Sequence, residues 1–204
     1  MSDSASKKIV VLISGSGSNL QALIDAEKRG ELGGKITLVV SNKKSAYGLT
    51  RASEASIPTY VQMLKDYKAA GKTRADFDRD LAEHIETTQA PDLIVLAGWM
   101  HILSPAFIDR LSGRIINLHP ALPGELDGAH AIDRAYEEFK AGNRSRTGVM
   151  VHYVIPEVDK GEPIMTQEVP CKHGDLLEDL ETRIHAVEHQ ILPKAVCAVL
   201  ESMK

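Results

Sequence analysis

The sequence predicts an α/β fold on the strength of three observations. Continuous β-branched apolar runs, typical of strands buried on both faces, occur at 8–14, 35–41 and 92–97. Helical patterns separate these runs, which is the order expected of parallel βαβ units. Two later runs, 147–154 and 163–169, are joined by a short acidic turn and predict a hairpin-like pair. We therefore expect a Rossmann-like, mostly parallel twisted sheet with helices on both faces and an antiparallel C-terminal strand pair.

The composition narrows the classes of protein to consider. An apolar share of 43% is enough for a full core, so we expect residues 1–204 to form a single domain, with 1–7 as a disordered tail. The net charge of -4, with interspersed signs, argues against binding to nucleic acid or to an anionic membrane. Cys171 and Cys197 form neither a disulfide framework nor a metal-type spacing, and no secretory signal or membrane span is visible. These features favour a cytoplasmic protein.

A glycine loop follows the first predicted strand directly. It reads Gly15-Ser16-Gly17-Ser18-Asn19 and leads into a helix predicted at 20–29. Glycines let the backbone approach a ligand closely, and a helix N-terminus offers free N–H groups, so the loop is a candidate phosphate cradle. The dinucleotide fingerprint is incomplete, because Leu20 stands where it needs a third small residue and no acidic residue follows the second strand. A monophosphate ligand is the better interpretation, and a plain tight turn remains the alternative.

The middle of the chain alternates between helical and extended patterns. A short helix is expected at 48–55 and a short strand at 57–63, followed by a polar, loop-like stretch at 65–74. Residues 74–88 have apolar positions every four residues, which predicts an amphipathic surface helix.

The loop after the 92–97 strand is unusually apolar. It covers 98–103 and contains Trp99, the only tryptophan of the chain. It could simply cover the core, or it could form one wall of a site for a flat aromatic ligand.

The strand at 114–119 ends in two polar residues. Asn117 and His119 are two positions apart, so they project from the same face of a strand, and Pro120 favours leaving the sheet there. Ligands bind at the carboxyl ends of strands in open α/β sheets. A catalytic pair and a capped strand end with a hydrogen-bonded core histidine are about equally compatible with these residues.

A long irregular loop at 121–130 follows this strand, and a helix is predicted at 131–141. Long loops beside sites are often lids. Further on, Asp159 lies in the acidic turn of the predicted strand pair. It is either a turn former or a carboxylate partner of His119.

The last predicted helix covers 175–200. Asp175 with Glu178 resembles a capping box, and Pro193 predicts a kink or a break. Glu188 falls within the apolar stripe of this helix, where a carboxylate is costly without a partner. That partner would be a ligand amine or a core arginine or lysine.

A zinc-type pattern occurs in the same helix. His185-Ala186-Val187-Glu188-His189 matches H-x-x-E-H. A third ligand would have to come from elsewhere, and a five-residue match in a chain with eight histidines arises easily by chance, so we expect no metal.

Five segments together resemble the phosphoribosylglycinamide formyltransferase family. The likeness extends from Lys8 to about Leu200 and lies in residues 13–22 (ISGSGSNLQA), 96–105 (LAGWMHILSP), 117–122 (NLHPAL), 151–154 (VHYV) and 159–161 (DKG). The resemblance implies a formyltransferase fold and the transfer of a formyl group from 10-formyltetrahydrofolate to the amine of 5-phosphoribosylglycinamide in purine biosynthesis. It implies small-molecule substrates, no metal, and a monomer or a weak homodimer.

The resemblance also implies residue roles. The substrate residues would be Gly17, Ser18 and Asn19 at the phosphate and Glu188 at the glycinamide end. The folate residues would be Met100, His101, Ile102 and Leu103 at the pterin, Arg74 near the folate tail, and Asn117. The catalytic residues would be Asn117, which stabilises the oxyanion, His119, which moves the proton, and Asp159, which orients His119 and favours its protonated form.

Three positions depart from the family pattern. His101 stands where arginine is frequent, Glu125 stands where a loop lysine is frequent, and Met150 stands where a small hydroxyl residue is common. Two alternatives remain beside the transferase. One is a formyltetrahydrofolate hydrolase, and the other is a non-catalytic nucleotide-binding module, which would not need Asn117, His119 and Asp159 together.

Overall fold

The computed structural model describes residues 6–203 and contains one seven-stranded sheet. Its strands are β1 (Lys8–Ile13), β2 (Lys35–Ser41), β3 (Thr59–Val61), β4 (Leu93–Leu96), β5 (Ile115–His119), β6 (Arg146–Tyr153) and β7 (Pro163–Pro170). They are arranged in the order β3-β2-β1-β4-β5-β6-β7. Strands β1 to β5 pair in parallel, β6 is antiparallel to β5, and β7 is antiparallel to β6. The predicted mostly parallel sheet with an antiparallel C-terminal pair is confirmed.

Helices cover both faces of the sheet, as the sequence predicted. They are α1 (Ser18–Lys28), α2 (Gly48–Glu54), α3 (Leu64–Ala69), α4 (Arg74–Gln89), α5 (Pro105–Ile108), α6 (Ala131–Lys140) and α7 (Leu177–Ser202). The central strand β1 shows why: Val11 points into a core shared with α1 and α7, whereas Val10 points into a second core shared with α4 and α5. Apolar residues at every position of β1 therefore fill two cores, one on each side.

The stretch 65–74, predicted as a loop, contains α3. This helix has no buried residue, so the apolar pattern that identifies helices is missing from its sequence. A tertiary contact supports it instead, because the ring of Tyr67 meets Phe77 of α4 edge to face at a centroid distance of 5.3 Å. The one-turn helix α5 was also not predicted.

The last helix continues through Pro193, so the predicted break there is wrong. Helix α7 is continuous over 26 residues. A proline inside a helix loses one backbone hydrogen bond, at a cost of about 3 kcal/mol. Here Pro193 is buried with Leu192 and Val196, and this apolar packing offsets the cost, so the helix is not interrupted at Pro193.

The start of α7 also differs from the prediction. Asp175 and Glu178 do not form the expected capping box, since the carboxylate of Asp179 accepts the N–H of Leu176 at 2.9 Å. Asp175 forms an ion pair with Arg183 at 2.8 Å instead. This pair fastens the segment just before the helix to the second turn of the helix.

The sheet order reverses between β1 and β4, and this point organises the molecule. The chain moves from β1 outward to β2 and β3, then returns to the other side of β1 for β4 and β5. Loops that follow β1, β4 and β5 therefore emerge side by side at the carboxyl edge of the sheet, where α/β proteins place their ligands.

Of the predicted tail 1–7, residues 1–5 lie outside the described residues, and the Lys7 carbonyl accepts the N–H of Lys35 at 2.7 Å. Among the helices of residues 6–203, none combines the length and the apolar character needed to cross a bilayer.

Candidate active site

The glycine loop is shaped by the close approach of α2. Gly17 has φ +71° and precedes α1, and a Cβ at this position would lie 2.6 Å from the Cα of Gly48. The carbonyl of Gly15 accepts the N–H of Gly48 at 3.1 Å. Only glycine fits this turn, and the turn leaves the first backbone N–H groups of α1, from Ser18 onward, at the positive end of the helix dipole.

Glu188 lies buried between α1 and α7 with an amide as its partner. The Asn19 Nδ2 donates to its Oε2 at 2.9 Å, and the residue is 5% exposed. Burial raises the pKa of Glu188, while the hydrogen bond from Asn19 and the charge of His185 work against that rise. Among residues 6–203 no lysine or arginine pairs with this carboxylate, so the core-cation alternative is not supported by the contacts. A ligand amine would supply the missing positive charge.

The zinc-type pattern does not assemble within the described residues. His185 is exposed, whereas Glu188 is buried and bonded to Asn19. No group of three or more potential ligands among residues 6–203 has an arrangement that could hold a metal ion.

The segment 98–104 forms one wall of a cavity of about 350 Å³. Met100 and Ile102 are 78% and 59% exposed although both are apolar, and both line this cavity. Trp99 and Leu103 also line the cavity but are largely buried. Exposed apolar side chains on the wall of a concave site are what a flat ligand would cover.

Two further folate candidates, His101 and Arg74, form hydrogen bonds with the protein. The His101 side chain turns inward, and its Nε2 lies 2.8 Å from Oδ1 of Asp78 in α4. Arg74 is exposed at the start of α4 and donates to the carbonyl of Ile102. The side chain of His101, which stands where the family often has arginine, is therefore hydrogen-bonded to Asp78.

The three catalytic candidates converge at the inner end of the same cavity. Asn117 and His119 project from one face of β5, and Asp159 reaches them from the connection between β6 and β7. The His119 Nδ1 lies 3.4 Å from Oδ2 of Asp159, and the Asn117 Nδ2 lies 3.4 Å from its Oδ1. Asn117 and His119 thus share one carboxylate, which lies 42 positions from Asn117 in the chain.

His152 is a fourth member of this group, which we did not predict from the sequence. It is the cross-strand partner of Asn117, and its Nε2 lies 3.2 Å from the Asn117 Nδ2 and 3.5 Å from Oδ1 of Asp159. Its Nδ1 donates to the carbonyl of Tyr153 at 2.8 Å. The available signal was a histidine inside an apolar strand, since a buried polar side chain needs partners.

Close backbone contacts fix the position of Asp159. Its own φ is +56°, a conformation that aspartate tolerates better than most residues. A Cβ at Gly161 would fall 1.6 Å from the carbonyl oxygen of Tyr153, so the chain can lie against β6 only with glycine there. The carboxylate also accepts the N–H of Gly128 at 2.8 Å, which connects it to the loop 121–130.

Ion pairs and backbone contacts order the loop 121–130. Arg134 donates to the carbonyls of Leu126 and Asp127 at 2.7 and 2.8 Å. Asp127 pairs with Lys160, and Glu125 pairs with both Arg144 and Arg146. The second departure from the family pattern, Glu125, therefore has its own cationic partners.

Burial decides the charge of His119. It lowers the pKa of His119, and the opposing effects of Asp159 and of the Leu126 carbonyl do not restore it. Asp159 does raise the pKa of His119, as expected, but burial lowers it more, so the net pKa is below its ordinary value. Burial also tends to raise the pKa of Asp159, but contacts with His152 and the Gly128 N–H and the charge of His119 bring it below its ordinary value. The resting pair is a carboxylate beside a neutral imidazole.

These features define an α/β protein with a buried amide, imidazole and carboxylate beside a cavity at the carboxyl end of β5. A family model described as formyl transferase matches residues 7–196, and the chain belongs to this family. The phosphoribosylglycinamide formyltransferase of Schizosaccharomyces pombe is 51% identical, over 96% of this chain and 98% of that protein. The protein of the same name from Escherichia coli is 42% identical, over 92% and 84%. The crystal structure of glycinamide ribonucleotide transformylase 1 from Symbiobacterium toebii superposes with a TM-score of 0.90 at 36% identity, over 98% and 90%. The resemblance described from the sequence is thereby confirmed.

Proposed function

We propose that this enzyme transfers the formyl group of 10-formyltetrahydrofolate to the amine of 5-phosphoribosylglycinamide, giving the formylated ribonucleotide and tetrahydrofolate. The single observation that carries the proposal is the convergence of Asn117, His119 and Asp159 at the inner end of an apolar cavity. A binding module would have no use for a buried amide, imidazole and carboxylate at one point. The names of the relatives support the choice of substrates.

The ribonucleotide would lie along the edge from α1 to β5. The backbone of Gly17 and the helix start at Ser18 and Asn19 suit a phosphate, because they combine free N–H groups with the positive end of a helix. Glu188 suits the glycinamide amine, since a buried carboxylate with only an amide partner gains most from a cation.

The folate would lie in the cavity beside segment 98–104. The apolar side chains of this wall suit the flat pterin, and they belong to Met100, Ile102 and Leu103. The backbone around His101 suits the polar edge of the pterin. The exposed guanidinium of Arg74 suits a carboxylate on the folate tail.

The proposed chemistry uses each catalytic residue once. The ammonium ion held by Glu188 first releases one proton to water, the neutral amine nitrogen then bonds to the formyl carbon, and the Nδ2 of Asn117 donates to the oxyanion that develops. His119, neutral at rest, takes the proton that the amine gives up and delivers it to the departing folate nitrogen as the carbon–nitrogen bond breaks. Asp159 stabilises the imidazolium while it exists. His119 returns to its neutral form, because the proton it accepts from the amine is the one it delivers to the folate nitrogen.

A tetrahydrofolate-release assay with and without the ribonucleotide tests the proposal. Release that requires the ribonucleotide, and loss of most turnover in folded His119→Ala and Asn117→Ala variants, is the expected result. Release without the ribonucleotide would indicate a hydrolase. No release in either case would favour a nucleotide-binding module.

We further propose that residues 1–204 form one domain, since all seven described strands belong to one sheet. A cytoplasmic location and a monomeric or weakly dimeric state stay predictions from the sequence.

A further inference from the structure

A fully buried carboxylate lies behind the proposed folate wall and takes no part in the mechanism above. Asp78, in the second turn of α4, is 0% exposed. Its Oδ1 lies 2.8 Å from the Nε2 of His101, and its Oδ2 accepts the N–H of Ser104 at 2.8 Å. These contacts with His101 and Ser104 hold the pKa of Asp78 below its ordinary value although burial tends to raise it. A buried carboxylate is expensive to retain, so a specific reason for it is worth seeking.

Both contacts of Asp78 end in the segment 98–104. This segment has no helix or strand of its own, and it begins at Gly98 with φ +77°. Its backbone is held elsewhere by Ser14, whose Oγ accepts the Met100 N–H at 2.8 Å, and by Arg74 at the Ile102 carbonyl. Asp78 adds two hydrogen bonds to the segment, one with the His101 side chain and one from the Ser104 N–H.

The side chains of the segment alternate in direction, and this makes the His101 contact decisive. The His101 side chain is 8% exposed and turns toward α4, whereas its neighbours Met100 and Ile102 are turned out into the cavity. An imidazole drawn inward by a carboxylate fixes the backbone between the two apolar side chains. Releasing it would let the segment rotate and would misplace both of them.

We propose that Asp78 is the positioning residue of the folate wall: by binding His101 and the Ser104 N–H, it presents Met100 and Ile102 to the cosubstrate. The proposal rests on the proposed function and refines the site that function uses. It assigns Asp78 an effect on folate affinity, with little effect on the ribonucleotide or on the chemical step. A role in stability alone would instead change all kinetic constants together or none of them.

The first test compares Asp78→Asn with Asp80→Asn by steady-state kinetics. Asparagine keeps the shape of Asp78 but removes the charge that holds His101. Asp80 is a matched control, because it lies on the same helix and binds Lys72 and Tyr67 at the surface. For Asp78→Asn we expect the KM for 10-formyltetrahydrofolate to rise at least tenfold, with the KM for the ribonucleotide within twofold and kcat within threefold. For Asp80→Asn we expect all three constants to stay within twofold.

The second test asks whether Asp78 acts through His101. His101→Leu removes the imidazole and leaves Asp78 in place, so it also serves if Asp78→Asn does not fold. We expect a similar rise in the folate KM, and in Asp78→Asn/His101→Leu we expect a rise well below the product of the two single effects, because the two side chains form one contact. An unchanged folate KM in a folded single variant, equal rises in both KM values, or fully multiplicative effects would overturn the proposal.

A binding measurement separates this proposal from the proposed function. Trp99 is the only tryptophan of the chain and lies in the wall, so its fluorescence can follow the binding of tetrahydrofolate without any turnover. A Kd at least tenfold weaker for Asp78→Asn than for the wild type supports the positioning role even if the release assay fails. Equal Kd values would refute it while leaving the transferase reaction intact.

Discussion

The charge of Asp159 offers the sharpest test of the proposed mechanism. We would replace it by asparagine rather than alanine, because its φ of +56° is a conformation that asparagine adopts readily. Asparagine also keeps an oxygen that can accept the Gly128 N–H. The change therefore removes one negative charge beside His119 and leaves the loop geometry in place.

The structure sets the size of the expected effect. Opposite unit charges at the 3.4 Å separation of His119 Nδ1 and Asp159 Oδ2 interact by about 5 kcal/mol at an effective dielectric constant of about 20. Both side chains are below one-tenth exposed, so water screens this interaction little. With about 1.4 kcal/mol for each factor of ten in rate, and with water replacing part of the lost charge, we expect kcat to fall about a thousandfold.

The assay is the kcat of ribonucleotide-dependent tetrahydrofolate release, with thermal unfolding measured on the same preparation. Asp133→Asn is a suitable control, because Asp133 is a half-exposed carboxylate just after the loop 121–130 whose one ion pair among residues 6–203 is with His130. We expect it to keep kcat within twofold. A folded Asp159→Asn variant that loses less than tenfold in kcat would refute the idea that this carboxylate stabilises an imidazolium during turnover.

Three further predictions follow from the same site. Gly161→Ala should lower the free energy of unfolding by about 2–4 kcal/mol and reduce kcat, because the new methyl group overlaps the Tyr153 carbonyl; urea unfolding with unchanged stability would contradict this. The folded state lowers the pKa of His119, so the unfolded chain takes up the proton first as pH falls. The stability that the neutral ring contributes is therefore present above about pH 6.5 and is lost below it. His119→Gln should weaken this pH dependence of the unfolding free energy in urea titrations between pH 5 and 8. Glu188→Gln should raise the Tm near neutral pH, because the raised pKa of Glu188 means that its ionised form destabilises the fold. The same variant should have a higher KM for the ribonucleotide and an unchanged KM for folate. A lower Tm, or equal effects on both KM values, would contradict this prediction.

Glu188 and Asp78 show two ways of retaining a buried carboxylate. Asp78 receives two hydrogen bonds and has a lowered pKa, so it is fully satisfied by the protein. Glu188 receives one amide hydrogen bond, and burial raises its pKa more than Asn19 and His185 lower it, so its negative charge is only partly compensated. The first arrangement suits a group that holds a wall in place, and the second suits a group that awaits a ligand.

Sequence alone determined the features that depend on local periodicity and local backbone chemistry. A run of β-branched residues such as 8–14 can be buried on two faces only in a strand of a parallel sheet, and this predicted β1 and its neighbours. The two-residue period of a strand placed Asn117 and His119 on one face, and the helical period placed Glu188 among buried residues. The loop at Gly17 was recognisable because only glycine permits its turn.

Tertiary structure alone decided the features that depend on which distant groups meet. The sequence left Asp159 as either a turn former or a partner of His119, and its contacts with Asn117 and His119 exist only in the folded chain. His152 became visible as a member of the group only through its pairing across β5 and β6. Whether His119 is charged depends on the balance between burial and a carboxylate, and that balance exists only in the folded protein. Likewise, Pro193 does not break its helix because packing on both sides outweighs a local preference. Periodicity is a property of neighbours along the chain, whereas partners, burial and their electrostatic consequences are properties of the assembled core.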